Sequence, residues 1–211
     1  MHALPMSGSP ITLVAHDLKN ALGSLESQLA ALVDEPSAAS AQAAHRHCMD
    51  LRQQFIQFLT LYGNDGVMRP YCEDESPQDT LASLARQGEA RHLSQPGSPA
   101  IAIDAACEPP PYWYYDTRLV QMALDAALHN ASRFARSQIT LSASLQQGFL
   151  VFQIDDDGPG LDAPNTSHAS TGLGTQLCQA VAQAHRSGER QGHIELINRP
   201  EGGTRFELWL P

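Results

Sequence analysis

Four places in the sequence bring together residue types able to do chemistry. The first is His16-Asp17-Leu18-Lys19-Asn20. On a helix, Asn20 shares the face of His16, one turn away. Asp17 could accept a hydrogen bond from one ring nitrogen and free the other as a nucleophile. Taken alone, the pentapeptide reads more readily as solvated helix surface, because nine histidines are spread through the chain. The second place is Asp156-Asp157-Gly158-Pro159-Gly160, following the apolar run 149–154. Glycine permits a sharp turn and close approach to a ligand. A carboxylate at a strand's end can accept a hydrogen bond from an exocyclic amine such as that of adenine. By itself, an acidic Gly-Pro-Gly segment is usually only a turn. The third is Gly172-Leu173-Gly174-Thr175, where backbone N–H groups at a helix start would form an anion site. The fourth is Asn130, whose neutral oxygen suits Mg²⁺, with Arg133 one turn on to pair with a phosphate.

These residues need elements to position them. From about Pro10 to Tyr62 the period is helical. Ile11, Ala15, Leu18, Leu22, Leu25, Leu29 and Leu32 alternate spacings of four and three, an a/d seam with Ala15 and Leu18 facing inward. Asp34-Glu35-Pro36-Ser37 breaks the helix, with Pro36 suited to a first turn and Glu35 to a positive helix start. A second seam runs through Ala41, Ala44, Cys48, Leu51, Phe55, Phe58 and Tyr62, widened by Ile56 and Leu59. Two such helices form an antiparallel hairpin with more apolar surface than one hairpin can bury. A two-fold four-helix bundle is the expected remedy, with packing on the rest of the same chain as the alternative.

Gly63-Asn64-Asp65-Gly66 reads as a linker, so residues 1–66 are expected as one domain and 67–211 as a second. In the second, helices are expected over 78–89, 117–136 and 174–185, with Asp116 capping the middle one. Strands are expected over 100–103, 139–145, 149–154, 193–198 and 205–210. Turns at Gln146-Gln147-Gly148 and Glu201-Gly202-Gly203 join two strand pairs. The fold class is therefore α+β: a helical hairpin, then helices on one face of a mixed sheet.

Composition narrows the class. The net charge is −10 without a Lys/Arg cluster, so nucleic-acid binding is not expected. No run approaches a membrane span, and the first ten residues have no signal-peptide character. The four cysteines lie far apart, which fits reduced thiols rather than a zinc site. A cytoplasmic location without membrane contact is the expectation.

In order along the chain, these segments resemble the core of bacterial sensor histidine kinases, a phosphotransfer hairpin followed by a Bergerat-type ATP-binding domain. The segment from His16 to Asn20 is similar to the H box, and Asn130-Ala131-Ser132-Arg133-Phe134 to the latter half of the N box. Asp156 to Gly160 is similar to the G1 box and Gly172-Leu173-Gly174 to the G2 box. Gly203-Thr204-Arg205-Phe206 and Leu210-Pro211 end the chain as such domains end. The resemblance implies that His16 takes the γ-phosphoryl group of ATP, assisted by Asp17, with Mg²⁺ on Asn130. It implies that Asp156 reads adenine with support from Thr204, that Arg133 lies at the phosphates, and that Gly158, Gly160, Gly172 and Gly174 close around the nucleotide. The implied partners are a second copy of the chain and a response-regulator receiver domain. Asn20 would orient water in the reverse, phosphatase direction.

Three features depart from the family. Ala126 stands where a polar residue is usual, four positions before Asn130. Eleven residues separate Gly160 from Gly172, with neither Lys, Arg nor aromatic among them. The expected protein is also an orphan kinase, without a sensor domain ahead of the hairpin. These features keep two alternatives open. One is a phosphotransferase with a vestigial nucleotide domain, which would shuttle phosphate between receiver domains. The other is a binding module of the anti-sigma-factor type.

Overall fold

The computed structural model describes residues 10–63, 68–94, 97–161 and 172–211. They fall into two compact units, one holding the first two helices together with Leu173 and the other the remaining elements from Glu73 onward.

In the first unit, α1 (Pro10–Asp34) and α2 (Ala38–Tyr62) pack as a hairpin. Ser37 caps α2, its hydroxyl accepting from the Ser40 N–H at 3.0 Å. Pro36 and Glu35 thus lie ahead of the cap rather than in the first turn, because the serine oxygen satisfies an orphan N–H that neither could. The seam also divides. Val14, Leu18 and Leu25 are buried against Ala44 and Leu51, whereas Ala15, Leu22 and Leu29 are exposed. Ala15 therefore faces outward in the single chain, contrary to expectation. Each helix carries a wider apolar stripe than a two-helix contact can cover, so part of it stays outside. Gly63 ends α2, and residues 64–66 of the expected linker lie outside the described residues.

The second unit is a sheet backed by helices. Its helices are α3 (Pro77–Ser94), α4 (Thr117–Phe134) and α5 (Leu173–Ala184). Its strands in chain order are β1 (Glu73–Glu75), β2 (Ala100–Ile103), β3 (Trp113–Tyr115), β4 (Gln138–Gln146), β5 (Phe149–Asp156), β6 (Arg186–Ser187), β7 (Arg190–Gln191), β8 (His193–Asn198) and β9 (Thr204–Leu210). The main sheet has the order β2-β4-β5-β9-β8, parallel only between β2 and β4. The pairs β1–β3 and β6–β7 were not expected from the sequence. Strands of two or three residues are too short to show alternation.

Asp116 caps α4 as expected, accepting from the Leu119 N–H at 2.9 Å. The β4–β5 turn holds Gln147 and Gly148 at φ 51 and 77, the left-handed pair that a two-residue hairpin turn requires. Along β5 the period of two sends Leu150, Phe152 and Ile154 into the core with Leu124, Leu128, Leu177 and Val181. Asp156 continues that inward-facing row. The opposite face carries its own polar chain, in which Gln153 donates to Glu207 at 2.7 Å and Trp209 donates to the same carboxylate at 3.0 Å. Among the described residues, no helix is long and apolar enough to cross a membrane.

Candidate nucleotide and phosphotransfer sites

His16 and Asn20 are exposed on α1, and Asp17 is half-buried between their row and the hairpin core. The Asn20 amide lies 3.1 Å from His16 Nδ1, the contact that a four-residue helical spacing dictates. Among the described residues, the ring makes no hydrogen bond to Asp17; the amide at position 20 occupies that nitrogen instead. Adjacent residues on a helix diverge by about 100°. With the amide nitrogen donating, Nδ1 accepts and the neutral ring carries its proton on Nε2.

Three carboxylates end β5. Asp155, on the face away from the helices, is held by both nitrogens of a bidentate Arg205 at 2.7 Å. Asp157 accepts from the backbone N–H groups of Arg136 and Ser137 and from the Ser137 hydroxyl. These donors hold its carboxyl well below the usual range, the hydroxyl bond foremost. Asp156, between them, is buried, and its Oδ1 accepts from Gly158 N–H at 2.8 Å and Thr204 N–H at 3.1 Å. Among the described residues Oδ2 takes no hydrogen bond. A carboxylate oxygen left without a protein donor suits an exocyclic amine.

The glycines serve the site in different ways. A Cβ on Gly158 would lie 2.6 Å from the Phe134 carbonyl oxygen, so this glycine lets the turn press against the end of α4. Gly160 at φ 86 packs beside Asn198, whose Oδ1 accepts from Leu161 N–H at 2.7 Å. Both thus answer to the protein's own atoms. Gly172 has φ 69 and Gly174 stands in the first turn of α5. Residues 162–171, most of the short loop between Gly160 and Gly172, lie outside the described residues.

Asn130 and Arg133 are exposed on α4. Arg133 lies over the Phe134 ring, 5.6 Å from its centroid. The Cys178 thiol donates to the Ala123 carbonyl, and the Asp116 N–H donates to His185. Those two contacts make α4 and α5 antiparallel, so the Asn130 end of α4 lies beside the Gly174 end of α5. The turn at Gly158 meets the same end of α4. Asn130, Asp156, Gly158 and Gly174 therefore share one end of the helix layer. Among the described residues, no group of three or more His, Cys, Asp or Glu is placed to hold a metal. Asn130 could offer one neutral side-chain oxygen at this end, a ligand type that Mg²⁺ accepts beside phosphates and water.

Residues 115–211 match the family model for histidine kinase-, DNA gyrase B-, and HSP90-like ATPases. The sensor protein RstB of Escherichia coli (strain K12) is 26% identical over 230 residues, covering 94% of this chain and 47% of that protein. The chain is similar to the two-part core of two-component histidine kinases. It spans less than half the length of the curated relatives it matches. The same fold occurs in the Acinetobacter baumannii histidine kinase AdeS, with TM-score 0.66 and 19% identity over 92% of this chain and 96% of that one. It also occurs in histidine kinase ThkA, solved in complex with the response regulator protein TrrA, with TM-score 0.69 and 15% identity over 95% of this chain and 60% of that one.

Asn198, Arg199 and Gly203 hold the Asp156 turn from the β8–β9 side, and of these the sequence singles out Gly203 alone. Gly202 and Gly203 both have positive φ. The doubled glycine is a visible signal of the hairpin turn, but not of its close approach to Asp156.

Proposed function

We propose that this chain is a cytoplasmic histidine kinase that binds Mg-ATP, phosphorylates His16 and passes the phosphoryl group to an aspartate of a response-regulator receiver domain, working as a homodimer. The observation that carries the reading is Asp156: a buried carboxylate with one oxygen saturated by two backbone N–H groups and the other open at the end of the helix layer. In the reaction, the Asn20 amide turns its oxygen to His16 Nδ1, which takes the ring proton and leaves Nε2 with a free lone pair. Nε2 then forms a bond to the γ-phosphorus as the bond to the β,γ-bridging oxygen breaks, and ADP leaves. Mg²⁺ supplies charge neutralisation at the phosphates when bound. Asn130 offers its amide oxygen there, and Arg133 offers a guanidinium to a phosphate. The exposed Asn20 amide could also orient water for hydrolysis of the partner's phospho-aspartate. The response regulator bound by ThkA supports a receiver domain as the partner.

A second reading, a phosphotransferase that does not use ATP, draws on Ala126. Its methyl group is buried in the core and presents no oxygen one turn before Asn130.

Labelling with γ-³²P-ATP is expected to give an acid-labile, alkali-stable adduct that His16→Gln abolishes and a receiver domain removes. Asp156→Asn is expected to weaken ATP binding at least about tenfold, as loss of a charged acceptor implies. A chain that binds Mg-ATP yet never labels, with or without receiver domains, would defeat the proposal. Labelling only from a phosphorylated receiver, with no nucleotide binding, would establish the second reading.

A further inference from the structure

The turn joining β8 to β9 grips the Asp156 peptide from one side. Arg199 Nη1 donates to the Asp156 backbone oxygen at 2.9 Å. Its Nε lies 3.5 Å from Asp155 Oδ2, an ion pair too long and bent to be a hydrogen bond, and Nη2 lies 3.8 Å from Glu201. The turn is closed by its own backbone: Arg199 N–H donates to Gly203 oxygen and Gly202 N–H to Arg199 oxygen, both at 3.0 Å. It then crosses so near that a Cβ on Gly203 would sit 1.9 Å from the Asp156 oxygen. The next residue, Thr204, donates its N–H to Asp156 Oδ1. Both the carbonyl and one carboxylate oxygen of Asp156 are therefore fixed by a single short turn. A planar guanidinium can span the three acceptors at once, which a lysine ammonium on its flexible stem does less well.

Resting on the nucleotide reading above, we infer that Arg199 is a positioning residue for base selection. It acts through the Asp156 peptide, holding Oδ2 where it meets an exocyclic amine. At the corresponding edge adenine presents an amine donor and guanine a carbonyl acceptor. A carboxylate held still attracts the first and repels the second, whereas a carboxylate free to rotate discriminates less.

Calorimetric titration of the full chain with ADP and with GDP tests this. The wild type is expected to prefer ADP. Arg199→Ala is expected to weaken ADP binding by roughly tenfold, the scale of one charge-assisted hydrogen bond. GDP binding should change little, so the ADP/GDP ratio narrows, and Arg199→Lys should recover part of it. In an Asp156→Ala background, adding Arg199→Ala should cost little more, because the arginine acts through the residue already removed. An unchanged ADP/GDP ratio in Arg199→Ala, or losses that multiply in the double variant, would overturn the inference. Thermal melts identify a variant that fails to fold; Arg199→Lys, which keeps a cation beside Asp155, is then judged by the same ratio. A wild type that binds neither nucleotide would remove the nucleotide reading itself, and the inference with it, before any variant is compared.

Discussion

In consecutive positions at the end of β5, Asp155 turns to the open face of the sheet, Asp156 to the helix layer and Asp157 to the start of β4. Their chemistry follows from the partners at each place: a guanidinium, two N–H groups with one oxygen spare, and a full set of donors. The same logic governs His185, buried between α5 and the start of α4. Its Nδ1 lies 2.8 Å from the Val181 carbonyl and must carry the proton, because Nε2 accepts the Asp116 N–H at 3.0 Å. Burial pushes its pKa below the ordinary value, while the Val181 bond and the Asp116 charge oppose that shift; Arg118 lies 3.6 Å from the same carboxylate. The unfolded chain thus binds this proton more readily than the folded one. Stability from neutral His185 is complete above about pH 6.5 and is lost as pH falls through the lower folded value, by at most about 1.4 kcal/mol per pH unit. His185→Gln keeps one donor and one acceptor but cannot titrate. Urea midpoints between pH 5 and 7.5 should fall less steeply for this variant than for wild type, and equal slopes would refute the assignment. Asp116 was legible in the sequence, since a cap precedes its own helix. Its bond to His185 was not, because it joins positions 69 residues apart.

At the scale of elements, regularity was legible where the repeat was long. The 25-residue helices α1 and α2, and the strands β4 and β5, show their periods over many residues. The β8–β9 turn was also legible as a turn, from Glu201-Gly202-Gly203. What periodicity could not show was that its two glycines differ. Gly202 has φ 95 and open space around its Cβ direction, whereas Gly203 has φ 88 and the Asp156 backbone in the way. Gly202→Ala should therefore cost only the left-handed penalty, about 1–2 kcal/mol. Gly203→Ala must also displace backbone that cannot yield cheaply, and should cost at least ~3 kcal/mol. It should weaken ADP binding as well, since Asp156 moves with the turn. Denaturant melts of the two variants decide the matter, and similar losses would show that the close approach is not rigid. The candidate site was legible as a set of residue types in order along the chain. Its geometry depends on backbone approaches between distant strands, which composition and spacing do not encode.

At the scale of the whole molecule, the divided seam of the hairpin has the largest consequence. On α1, Leu18 and Leu25 repeat every seven residues and are buried, while Ala15, Leu22 and Leu29 repeat with the same period and are exposed. On α2, Ala44 and Leu51 are buried, while Ala41, Cys48 and Phe55 repeat on the exposed side beside Ile56 and Leu59. Leu18, Leu25, Ala44 and Leu51, with Val14 and Ala21 beside them, thus close the hairpin, while the stripe through Ala15, Leu22 and Leu29 remains in water. Leu22 and Leu29 are 43% and 48% exposed and Leu59 is 60% exposed, more than scattered surface residues explain. Covering the exposed part of each leucine should contribute about 1 kcal/mol. A second hairpin offers a complementary stripe of the same period, as in a two-fold four-helix bundle. Wild type is therefore expected to sediment as a dimer at micromolar concentration. Leu22→Lys combined with Leu29→Lys should yield a monomer that keeps its helical circular dichroism, because Val14, Leu18 and Leu25 still close the hairpin. Leu25→Ala should do the reverse, lowering the melting temperature through a cavity penalty of about 2–5 kcal/mol. A wild type that sediments as a monomer, or a double lysine variant that remains dimeric, would show that the outward stripe is covered by something other than a second copy.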